Sequence, residues 1–126
     1  MPDLMVRIVR FVDNSQPGWV ECEFADAEGR RHLIIEKVPV VTAEDLDADS
    51  EYPKQGTVRC EILKRYHNEK GQELVCITTY RPFCIESIEG ASEFTVPAGK
   101  WNYFRVSRHP TATLNPVRPI VTWFNR

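Results

Sequence analysis

The chain has no apolar run near the roughly 18 residues that a membrane helix requires, which argues against a helical membrane span. Its first twelve residues, MPDLMVRIVRFV, place an acid at position 3 and arginines within the apolar run, a poor match to a secretory signal. A soluble, cytoplasmic protein is therefore expected. No G-x-S-x-G elbow, phosphate-binding glycine loop or H-E-x-x-H occurs, so three common catalytic frameworks are missing. Close cysteine pairs are missing too. Cys22, Cys60, Cys76 and Cys84 are separated by 38, 16 and 8 positions, and His32, His67 and His109 are scattered, which argues against a zinc site. No metal and no cofactor are expected.

Acids are absent from one whole stretch. Residues 97–126 hold Lys100, Arg105, Arg108, Arg118 and Arg126 without a single carboxylate, whereas residues 1–96 hold 11 Lys/Arg against all 18 acids. The body thus carries −7 and the tail +5, within a formal net charge of −2. The expected organisation is an acidic body over 1–96 and a basic aromatic strand or arm over 97–126, packed on the body or on a neighbour, within one domain.

What is present is alternation. The 42% apolar and 27% charged content is that of a globular chain, and its apolar residues recur with a period of two. In TVRCEI, Val58, Cys60 and Ile62 fall on one face and Thr57, Arg59 and Glu61 on the other, the pattern of a half-buried strand. After the tip Asn68-Glu69-Lys70-Gly71 a second such run reaches Tyr80, so residues 57–80 are expected to form the organising hairpin. Further strands are expected over residues 4–12, 19–25, 31–37 and 92–96, with a tight tip at Asp26-Ala27-Glu28-Gly29. Pro39 predicts an edge strand or bulge, and Thr42 with Asp45 predicts a capped helical turn. Cys84–Ile88 reads as a short extended piece. Cys22, Cys60 and Cys76 share faces with apolar neighbours and read as core residues, while Cys84 lies outside a clear strand. Six to eight short strands at such spacing predict an all-β domain, a small antiparallel β-barrel of the OB or SH3-like meander type.

Residues 42–56 form a long acidic loop. Asp45, Asp47 and Asp49 have the spacing that opens a calcium loop, but Ser50 and Gly56 stand where glycine and a bidentate glutamate belong. With Glu44 and Glu51 they read instead as an electrostatic contact for a basic protein. Beyond residue 97, Lys100, Trp101, Tyr103, Arg105 and Arg108 combine cations with stacking surfaces, the recipe for single-stranded nucleic-acid or interface contacts. In type, though in no motif, a small acidic domain of this kind resembles the immunity and accessory proteins that neutralise basic partners.

The expected function is that of a non-catalytic protein-binding module, with no catalytic residue assigned. The alternatives are a nucleic-acid-binding barrel and a small ligand-binding barrel or enzyme. A homodimer is compatible with each, because WNYFRV and IVTWF are apolar for terminal segments.

Overall fold

A computed structural model describes residues 2–98 and, as backbone, residues 104–106. The molecule is organised around its first strand, β1 (Pro2–Asp13), rather than around the 57–80 run. β1 pairs antiparallel with β2 (Trp19–Ala25) on one edge and with β4 (Lys54–Arg59) on the other. β3 (Arg31–Lys37) extends the sheet beyond β2, and β8 (Phe104–Val106) pairs with Pro2–Leu4 of β1. A second antiparallel sheet has the order β5 (Glu61–His67), β6 (Glu73–Thr78), β7 (Glu93–Pro97). Among the described residues these sheets form no closed barrel. They share one core instead: Leu4, Ile8, Val20, Cys22 and Ile34 from the first sheet pack with Val75, Ile77, Phe94 and Val96 from the second.

The solvent face of the first sheet is laced by charge. Arg7 and Arg10 lie opposite Glu23 and Glu21, with N–O distances of 2.9 and 2.8 Å, and Arg31 adds a 3.3 Å contact to Glu23. Cross-strand pairs of opposite sign are the arrangement that favours this register.

The expected single strand through residues 57–62 is broken at Cys60, where the chain passes from one sheet to the other. Val58 pairs with Leu4 in the first sheet, and Glu61 pairs with Thr78 in the second. Cys60 itself is fully buried, and its N–H donates to the Pro2 carbonyl. Pro39 makes neither an edge strand nor a bulge. It lies within a single helical turn, α1 (Val38–Val41), near the N-terminus, where its missing N–H costs nothing. Thr42 is therefore the C-cap of this turn, not the N-cap of a following one: its N–H donates to the Val38 carbonyl, and its Oγ1 accepts the Glu44 N–H. Residues 84–88 are loop rather than extended.

Three tight turns use one chemical solution. Asp26, Asn68 and Ser87 each accept, through one side-chain oxygen, the N–H groups two and four residues on. Gly29, Gly71 and Gly90 follow at φ of +85, +80 and +88°, the left-handed region where a side chain is strained. This is the type I turn with a bulge glycine of three-residue hairpins. The third turn belongs to the loop 79–92, which Thr79 ties closed. Fully buried, Thr79 donates its hydroxyl to the Ile85 carbonyl at 2.7 Å and its N–H to Ser92.

Candidate functional site

Two surfaces at opposite ends of the molecule carry chemistry. The first is the acidic loop. Glu44, Asp45, Asp47, Asp49 and Glu51 are all exposed, yet the loop that presents them is tied down. Leu46 is buried at 8% exposure and belongs to the core. Asp47 Oδ1 accepts the Asp49 N–H and the Ser50 hydroxyl, and the Tyr52 hydroxyl donates to the Asp47 carbonyl at 2.7 Å. Glu44 pairs with Lys54 at 3.3 Å. Asp45, Asp49 and Glu51 make no ion pair among the described residues. No group of three or more His, Cys, Asp or Glu suited to a metal occurs among those residues, so the three aspartates do not converge. A shallow depression of about 500 Å³ adjoins the loop, between Thr42 and Glu44 on one side and Lys54 and Thr57 on the other.

The second surface is a cleft of about 640 Å³ between the β2–β3 tip and the β5–β6–β7 sheet. The tip is pinned to β7 by the Ala27 N–H, which donates to the Thr95 carbonyl. Leu63, Tyr66, Leu74 and Cys76 supply the apolar part of the lining from the sheet side, and Gln72, Glu93 and Thr95 a polar part. Asp26 and His32 come from the tip, with Asp26 Oδ2 2.9 Å from His32 Nε2. The imidazole also packs against Phe24 and Phe94, at centroid distances of 5.2 and 4.8 Å. Burial pushes the Asp26 carboxyl up. The His32 hydrogen bond, the Arg30 and Glu28 backbone N–H groups and the imidazole's charge outweigh it, and the carboxyl lies below its usual range.

This pair was missed in the sequence, although a signal existed. Phe24 lies opposite His32 in the ladder, so Asp26 is the diagonal neighbour on the same face. The cysteines divide as burial dictates. Cys22 and Cys60 are fully buried and their thiols are pushed up to about 12, chiefly by desolvation. Cys76 is half-buried against the Thr95 hydroxyl at 3.3 Å. Cys84 is exposed, at a φ of +56°. His32 shares its cleft with Cys76, and Cys84 does not line it. His67 is exposed at the end of β5. His109, Lys100, Trp101, Tyr103 and Arg108 lie outside the described residues, and of Arg105 only the backbone is described, paired with Asp3.

Comparisons with protein-family models, curated proteins and solved structures find no match to this chain.

Proposed function

We propose that this protein is a non-catalytic binding module that engages a basic protein partner through the loop 42–53. The observation that carries the reading is the contrast between exposed acids and a tethered backbone. Asp45, Asp49 and Glu51 lack an ion pair among the described residues, while Leu46, Asp47 and Tyr52 hold the loop that bears them. A surface ordered before binding loses less conformational entropy when a partner arrives. Unpaired charge of one sign speeds encounter with the opposite sign and sets specificity. A cytoplasmic setting belongs to the same reading, supported by four unpaired cysteines. So does the likeness to small OB or SH3-like barrels, supported by the single core that both sheets share.

The test is affinity capture from the native host with the full chain and with a variant carrying Asp45→Lys, Asp47→Lys and Asp49→Lys. A basic protein retained by the first and lost by the second supports the reading. Equal capture by both removes it.

A further inference from the structure

The cleft beside the β2–β3 tip is one-sided in its chemistry. Asp26, Glu28 and Glu93 line it against a single cation, Arg30. Glu28 and Glu93 have no ion pair among the described residues. The His32 side chain is nine-tenths buried, at 10% exposure. Its Nε2 lies 2.9 Å from Asp26 Oδ2, and Nδ1 has no hydrogen bond among the described residues. A ligand that satisfies this lining must bring hydrogen-bond donors and positive charge.

The sheet side asks for something else. Leu63 and Tyr66 are 43% and 39% exposed, and Leu74 lies beside them. The Lys64 Nζ sits 5.2 Å from the Tyr66 ring centroid, so that ring already carries the chain's own ammonium and offers a ligand its apolar edge. We infer that the cleft binds an extended, cationic segment of a protein partner in which arginine or lysine alternates with apolar side chains. In an extended chain, successive side chains point to opposite sides, so apolar groups meet the floor while cations meet the rim. A volume of about 640 Å³ lies in the range of ligand pockets.

The inference rests on the proposed basic partner but deepens it with a second contact. β4 begins at Lys54 opposite Ile8, and the loop 42–53 enters it from the Asp13 end of β1. The β2–β3 tip leaves toward the Pro2 end, so the two surfaces are separate.

The experiment titrates the isotope-labelled full chain with acetyl-Arg-Leu-Arg-Leu-amide and, separately, with acetyl-Glu-Leu-Glu-Leu-amide. The cationic peptide is expected to give saturable amide shifts at Ala27, Gln72, Leu74, Cys76 and Thr95, and the acidic peptide none. A variant with Glu28→Lys and Glu93→Lys, its spectrum otherwise superimposable, is expected to bind at least about tenfold more weakly. Charge reversal at Asp45, Asp47 and Asp49 is expected to leave this titration unchanged, which separates the cleft from the loop. Shifts confined to residues 44–51, equal response to both peptides, or no saturable response at millimolar peptide would each overturn the inference.

Discussion

Asp26 and His32 hold each other across the β2–β3 tip, Oδ2 to Nε2 at 2.9 Å, while Asp26 Oδ1 accepts the N–H groups of Glu28 and Arg30. One carboxylate thus closes a turn, orients an imidazole and forms part of a cleft wall. The same side-chain-to-backbone pattern recurs at Asn68 and Ser87, but among the described residues neither of those side chains hydrogen-bonds a histidine.

Replacing Asp26 with Asn keeps the turn acceptor and removes the charge. The variant is expected to lose about 1 kcal/mol of stability at neutral pH, the scale of one hydrogen bond. The native carboxyl titrates below its ordinary value, about 3.9. Its contribution is therefore complete above that value and lost as pH falls through the lower, folded one. Urea unfolding of both proteins at neutral pH and well below pH 3 checks this. The difference is expected to shrink in acid, and an unchanged difference contradicts the assignment.

Gly56 and Gly71 should respond to alanine for different reasons. A Cβ at Gly56 would lie 2.8 Å from Ile8 Cδ1 and 3.0 Å from the Val41 carbonyl, inside the core. Overpacking of this kind costs roughly 1–3 kcal/mol. At Gly71 nothing lies within 4 Å, and the cost is only the left-handed φ of +80°, about 1 kcal/mol. Thermal denaturation of both variants decides it. Gly56→Ala without loss of stability would refute the packing at that site.

Thiol reactivity should follow burial. In the native protein Cys84 is expected to react first with a disulfide reagent and Cys76 more slowly, with Cys22 and Cys60 protected until unfolding. The last two are fully buried, with thiols pushed up to about 12. Peptide mapping after timed alkylation reads all four. Early labelling of Cys22 or Cys60 would contradict the core.

The tether of the acidic loop is testable at Leu46. Leu46→Ala removes the one buried apolar side chain of residues 42–52, at about 2 kcal/mol, the lower end for a buried leucine. Hydrogen exchange is expected to quicken across residues 44–52 while β1 and β2 stay protected. Unchanged exchange would mean that other contacts hold the loop.

Strands whose residues alternate against one core face were legible in the sequence. β2 and β3 fall on residues 19–25 and 31–37 as expected, and the Asp26 and Asn68 tips form where glycine follows three positions on. The corner at Cys60 was not legible, because a bend between two sheets sharing a core keeps Val58 and Cys60 facing inward. The helical turn at Val38–Val41 was hidden by β-branched residues whose local preference tertiary packing overrode, with Val38 and Val41 buried. The cleft was hidden for a different reason. His32, Tyr66, Cys76 and Glu93 lie on four different strands, and only the tertiary fold brings them together.

The central claim is that tethered, unpaired carboxylates at Asp45 and Asp49 recognise a basic protein. The most direct measurement is the salt dependence of capture from the native host by the full chain, set beside the triple charge reversal at Asp45, Asp47 and Asp49. The expected result is a basic protein whose retention falls as ionic strength rises and vanishes in the variant. Retention indifferent to salt and to the reversal would contradict it.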